Sequence, residues 1–140
     1  MFFGNLNFIV IIVATIVGMG VGAIWYSPFV FGPLWLKSKG WVDEHGKTKK
    51  DGRPMLPLMG VMAAGTFVTA LILAALFNSL VVTGISGILF VGLCVWLGFA
   101  VPVKLGDYLF GGDSFTFFLL SIGHQFVVTM IMSAIVGIFG

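Results

Sequence analysis

Every charged side chain of this 140-residue chain lies in one of two short segments, residues 37–53 and 104–113. The rest is apolar over long stretches, and only 9% of all residues are charged, against about 25% in a typical soluble domain. So few charges cannot cover a water-facing surface. The pattern therefore predicts a chain that crosses a lipid bilayer repeatedly, with its charged segments left outside the hydrocarbon.

Four apolar windows are long enough to cross the bilayer, since a spanning helix needs about 20 residues at a rise of about 1.5 Å each. Backbone groups in lipid must be satisfied within the segment, and the alternating segments of a membrane barrel are missing. We predict an all-α polytopic membrane protein with a single four-helix transmembrane domain, arranged as two antiparallel hairpins. Its helices are expected at residues 8–26, 55–77, 85–106 and 115–139, with a loop at 37–54.

The basic residues predict the orientation of these helices, because Lys and Arg are concentrated in cytoplasmic loops. All of them except Lys104 fall within residues 37–53, after the first helix. This places that loop and the turn near Lys104 in the cytoplasm, and both termini on the extracytoplasmic side. Membrane topology accounts for the clustering of these basic residues, so we expect no nucleic-acid partner.

An aromatic segment follows the first helix, where Pro28 and Pro33 forbid a regular helix. Its rings suit the membrane–water interface and include Trp25, Tyr26, Phe29 and Trp35. Two interpretations remain open, an interfacial anchor and a folded-back segment that lines a vestibule. Pro28 and Gly32 have the same spacing as Pro102 and Gly106, which fits a tandem repeat of a two-helix hairpin.

Small residues at four-residue spacing predict the packing faces, because they let helices approach closely in lipid. The series at this spacing are Ala14, Gly18 and Gly22 in the first helix; Gly60 and Ala64 in the second; Gly98, Pro102 and Gly106 in the third, which also has Gly84 and Gly92; and Ser121, Gln125, Thr129, Ser133 and Gly137 in the fourth. So many small faces on four helices suggest surfaces left over for a homo-oligomer.

His124 is the strongest functional candidate, because it lies about 15 Å into the fourth helix. An ionisable group at that depth is expensive and marks a functional site by default. The structural alternative is a neutral imidazole hydrogen-bonded to Ser121 or Gln125. The functional interpretation is handling of a proton or a ligand.

Lys104, Asp107 and Pro102 lie near the cytoplasmic end of the third helix. Lys104 and Asp107 share a helix face and can form an ion pair, either as an interfacial pair or as the mouth of a polar path. Pro102 has no N–H, so the carbonyl of Gly98 loses its helical partner and a helix break is expected there.

No catalytic constellation is found: there is no Ser/His/Asp set, no pair of buried carboxylates, no phosphate loop and no metal-ligand group. The single cysteine, Cys94, excludes an internal disulfide. We expect neither an enzyme nor a bound cofactor or metal.

Several short motifs resemble a bacterial family of small four-helix membrane proteins catalogued as domain of unknown function 1761. They are Trp25–Pro28, Leu97–Pro102, Tyr108–Gly111, Gly123-His124 and Gly137-Ile138. The resemblance as a whole extends over nearly the entire chain. Family-like sequences often carry an acidic residue at the position of Gly112, where this chain has Asp113 next to it. The resemblance implies a bacterial inner-membrane location and supplies no activity.

Three functional hypotheses follow. The first is a small homo-oligomeric channel or transporter-like protein with His124, Asp107 and Lys104 along a polar path. The second is an accessory subunit that packs against a membrane-protein partner through its glycine faces. The third is a lipid- or cofactor-binding protein that uses the aromatic segment from Phe29 to Trp41.

Overall fold

Four helices make up the computed structural model, which describes residues 6–26, 30–31, 34, 55–80, 82 and 84–140. They are α1 (Phe8–Trp25), α2 (Met55–Ser79), α3 (Gly84–Phe110) and α4 (Phe115–Phe139). Each contains a segment long and apolar enough to cross a membrane, and no strand occurs among the described residues. The predicted all-α class with four membrane spans is confirmed. Pro28, Gly32, Phe29, Trp35 and the loop at 37–54 lie outside the described residues, so the tandem repeat stays a prediction.

Polar side chains and glycines set the helix ends. The Asn7 side chain accepts a hydrogen bond from the Val10 N–H at 3.3 Å, and Ser114 accepts one from the Phe117 N–H at 3.1 Å. These bonds satisfy amides that the first turns of α1 and α4 would leave unpaired. Gly112 connects α3 to α4 with φ +79°, a backbone conformation that favours glycine.

A π-helical turn, Trp96–Ala100, interrupts α3 between the α-helical segments Gly84–Val95 and Val101–Phe110. Within it the Val101 N–H donates to the carbonyl of Trp96. Pro102 then lies in the first turn of the following segment, where a missing N–H is tolerated. The break expected at Gly98 and Pro102 is therefore absorbed as a wider turn, and α3 continues past residue 106 to Phe110.

Helix α4 is the centre of the bundle, because it contacts α1, α2 and α3, while α1 also packs against α2. The buried core lies among α1, α2 and α4 and consists of Ile11, Ala14, Ala70, Leu73, Met132 and Val136. Helix α3 is attached mainly to α4, and α2 and α3 make at most slight contact with each other.

The small-residue faces of α1 and α4 are packed within the bundle, as predicted. A Cβ atom at Gly18 would lie 2.9 Å from Sδ of Met132, and one at Gly137 would lie 2.7 Å from Cγ2 of Ile88. Gly60 and Ala64 of α2 are exposed instead, and Gly98 of α3 faces open space. These positions make no close helix contact within one chain.

Trp96 ties the π turn to α4. Its indole N–H donates to the carbonyl of Ile122 at 2.8 Å, and its ring meets that of Phe126 edge-on at 5.0 Å. The Ile122 carbonyl belongs to the regular helix α4, so its position is set by that helix. The bond therefore fixes how α3 is rotated about its own axis relative to α4.

We expect Trp96→Phe to lower the free energy of unfolding in detergent by about 1 kcal/mol, the typical value of one such hydrogen bond. Phe99→Leu is the control, because the Phe99 side chain is 76% exposed on the same helix. Equal stability of Trp96→Phe and the wild type would show that the bond does not hold the two helices together.

Candidate functional site

His124 lies where α4 meets α1, and a glycine of α1 makes the approach possible. A Cβ atom at Gly22 would lie 3.1 Å from Nε2 of His124, which is closer than side-chain atoms normally approach. The imidazole therefore fills the space that a side chain at Gly22 would occupy.

The same contact is repeated in the opposite direction. A Cβ atom at Gly123 of α4 would lie 3.2 Å from Cζ2 of Trp25, so the indole of α1 fits over a glycine of α4. We call this paired contact of Gly22, Trp25, Gly123 and His124 the glycine–ring seam. It joins the Trp25-Tyr26 and Gly123-His124 motifs, which are far apart in the sequence.

Aromatic rings enclose the imidazole at the end of α1. The ring of Tyr26 lies 5.0 Å from that of His124, and the ring of Trp25 lies 6.3 Å away. Phe31 extends the cluster, with its ring 4.6 Å from Trp25 and its N–H donating to the Trp25 carbonyl at 3.0 Å. His124 therefore sits in an apolar enclosure within the bundle.

Two nitrogens of the seam are buried and lack a hydrogen-bond partner in the described part of the chain: Nε1 of Trp25 and Nε2 of His124. Ser121, a predicted partner for His124, shares a hydrogen bond with Tyr26 instead. Buried polar atoms are paired in the great majority of cases, and an unpaired one in lipid costs several kcal/mol.

Gln125, the neighbour of His124, faces a different part of the molecule. It lines a groove of about 280 Å³ that lies over α4 between α2 and α3. The polar members of its lining are Thr69, Trp96, Lys104, Gln125 and Thr129. The adjacent residues His124 and Gln125 of α4 thus belong to two separate polar regions, the glycine–ring seam and the groove.

Lys104 lines the groove and is within electrostatic range of His124, so it connects the groove and the glycine–ring seam electrostatically. Asp107 is exposed and belongs to neither place. Although Lys104 and Asp107 are three residues apart on one helix, no ion pair within the described residues joins them. The ion pair allowed by their spacing is therefore not formed.

Sequence reasoning identified His124, Gly22 and Trp25 separately but did not bring them together. The glycine was recognised as a packing position, yet its spacing does not say which helix or side chain covers it. Phe31 and the groove wall formed by Trp96 carried no sequence signal for these roles. Among the described residues no group of three or more His, Cys, Asp or Glu side chains could hold a metal ion, and Cys94 is exposed.

Four apolar helices with polar residues on two sides of the central one define a small multi-pass membrane protein. A family model described as "Protein of unknown function (DUF1761)" matches residues 9–137, and the chain belongs to this family. The resemblance found in the sequence is thereby confirmed. No curated protein and no solved structure matches the chain.

Proposed function

We propose that this protein is a small homo-oligomeric channel or transporter-like protein for an ion or small molecule, with His124 as the group that handles the solute. The observation that supports this most strongly is the buried Nε2 of His124, which has no hydrogen-bond partner in the described part of the chain. A polar atom is not kept at that depth without a partner unless something else satisfies it.

The chemistry of imidazole suits transfer across an apolar barrier. A neutral ring donates from one nitrogen and accepts at the other, and it gains or loses a proton near neutral pH. Because Trp25 and Tyr26 shield the ring of His124, a solute at Nε2 meets few competing water molecules. The indole N–H of Trp25 supplies a second donor in the same seam.

The remaining polar candidates would lie toward the charged ends of the helices. Lys104 is in electrostatic range of His124, and Asp107 is exposed further along α3. In this proposal they line the mouth of the path on the cytoplasmic side of a bacterial inner membrane. Exposed Gly60 and Ala64 would allow a second copy to approach α2 closely.

The test is flux through proteoliposomes that contain the purified protein, followed with an internal pH dye and with a panel of small ions. We expect His124→Ala to lower flux at least tenfold, because no group remains at the seam to bind the solute. His124→Gln keeps hydrogen bonding but cannot titrate, so it should stop proton flux while retaining part of any solute flux.

Cys94→Ala is the control, because this exposed side chain of α3 lies in neither polar place. Full flux by His124→Ala, in a protein whose helix content and detergent stability match the wild type, would refute the proposed role of His124.

A second candidate is supported by the exposed face of α2. Gly60 and Ala64 lie there beside Val61, which is 71% exposed, a surface that suits another transmembrane helix. In this case the protein is an accessory subunit of a larger membrane complex. His124→Ala would then be silent, and purification in mild detergent would recover a partner that Ala64→Leu releases.

A further inference from the structure

The groove over α4 is a second place where polar groups meet the hydrocarbon, and it is separate from the glycine–ring seam. It exists because α2 and α3 both pack on α4 but make at most slight contact with each other. Thr69 lies on one wall, Phe99 and Val103 on the other, and Gln125 and Thr129 on the floor.

The two ends of the groove lie at different depths. Lys104 follows Gly84 by a rise of about 30 Å along α3, which is about the thickness of the hydrocarbon core. Thr129 lies about 15 Å before the end of α4, near mid-membrane. The groove therefore runs from the level of the lipid headgroups to the middle of the bilayer, the depth that one acyl chain covers.

The charge of the groove is confined to its headgroup end. Lys104 is half-buried, and within the part of the chain that the structure describes it makes no ion pair. The middle of the groove is lined by apolar groups, including Val95, Phe99 and Val103. A single cation above a slot with largely apolar walls, and with Gln125 and Thr129 on its floor, matches a molecule with one anionic head and one hydrocarbon chain.

We propose that this groove binds an anionic phospholipid, with its phosphate at Lys104 and one acyl chain between α2 and α3. Its volume of about 280 Å³ is just below the range of about 300–1,000 Å³ for small-ligand sites. The groove thus holds a single chain, and the second chain remains in the bilayer. This site goes beyond the proposed transport function, because it shares Lys104 with the proposed mouth of the path but does not involve the seam at His124.

Three of the four helices of a second copy fit the groove less well than a lipid does. The helices α1, α2 and α4 carry no carboxylate, so any of them laid over the groove would bury the Lys104 ammonium without a counter-ion. An unpaired charge in the bilayer is expensive, whereas a lipid phosphate neutralises it.

The test is native mass spectrometry of the detergent-purified protein, given equal amounts of phosphatidylglycerol and phosphatidylcholine with identical acyl chains. We expect about a fivefold preference for phosphatidylglycerol, the value of one basic residue near an anionic membrane surface. Lys104→Gln should remove the preference and Lys104→Arg should keep it. His124→Ala should also keep it, which separates this proposal from the transport function.

A second pair of variants tests the apolar part of the groove. Ala100→Phe places a ring in the groove and should reduce retention of both lipids. Leu97→Phe should not, because that side chain is 57% exposed and lies outside the groove lining.

Equal retention of the two lipids by the wild type, or an unchanged preference in Lys104→Gln, would overturn the proposal. Displacement of the lipid by inorganic phosphate would show a free-phosphate site instead, and a loss of oligomer mass in Ala100→Phe with lipid binding intact would show a contact between copies.

Discussion

Gly92→Leu is expected to lower the free energy of unfolding by about 3 kcal/mol, the upper part of the usual range for overpacking. A Cβ atom at Gly92 would lie 2.8 Å from Oγ and 3.1 Å from Cβ of Ser133. The Cβ of Ser133 is fixed to the backbone of α4, so it cannot rotate away, and the two helices must separate. Because α3 is attached mainly to α4 and makes at most slight contact with α2, little else among the described residues holds it in place.

The measurement is the loss of helical circular dichroism as sodium dodecyl sulfate replaces a mild detergent. Gly98→Leu is the matched control, since it makes the same change on the same helix at a position with no atom within 4 Å. If both variants are equally stable, the close packing of α3 on α4 is not what holds this half of the bundle together.

Gly22→Leu has the second largest expected effect, because it alters stability and flux at once. Its Cβ would lie 3.1 Å from Nε2 of His124, and the rest of the new side chain needs the space that the imidazole fills. The rings of Trp25 and Tyr26 stand close to the imidazole and restrict its retreat. We expect a loss of about 2 kcal/mol and a fall in flux close to that of His124→Ala.

Gly20→Leu is the control for this change, since Gly20 lies on the same helix, is exposed, and has no atom near its added Cβ. Flux and detergent stability are measured for both variants and for Gly22→Ala, which should have an intermediate effect. A Gly22→Leu protein that is destabilised but retains full flux would show that the seam is structural and that solute passes elsewhere.

The number and approximate positions of the helices were predictable, because one large energy term sets them. Hydrocarbon excludes charge and unpaired backbone, so long uncharged windows had to be spanning helices. The predicted ends at residues 8 and 26 agree with α1 at Phe8–Trp25, and the prediction of 115–139 agrees with α4. Helix α3 runs beyond the expected end at residue 106 to Phe110, and the π turn precedes Pro102.

Individual residues of the candidate site could be predicted from the sequence, but the contacts between them could not. Depth alone identified His124, and spacing alone identified Gly22 as a packing position. That the two meet depends on the rotation and crossing of α1 and α4, to which many small contacts contribute. For the same reason Ser121 could be placed near His124 on the helix, but its bond to Tyr26 could not be foreseen.

The spacing of small residues indicated which faces could pack, but not which of them do so within one chain. Gly18 and Gly60 follow the same rule in the sequence, yet Gly18 is buried and Gly60 has nothing within 4 Å. A small residue permits close approach without providing attraction of its own. Whether that face is packed therefore depends on the shape and side chains of the neighbouring helix. Because Gly60 is exposed in a single chain, a homo-oligomer or another membrane-protein partner stays a prediction.

The central position of α4 has a consequence for biosynthesis. This helix emerges from the ribosome after the other three, yet it contacts each of them. The first two helices can associate as soon as they are inserted, but α3 has no substantial neighbour until α4 arrives. During that interval α3 lacks its main packing partner, so the assembly of this bundle is completed only after α4 has been translated.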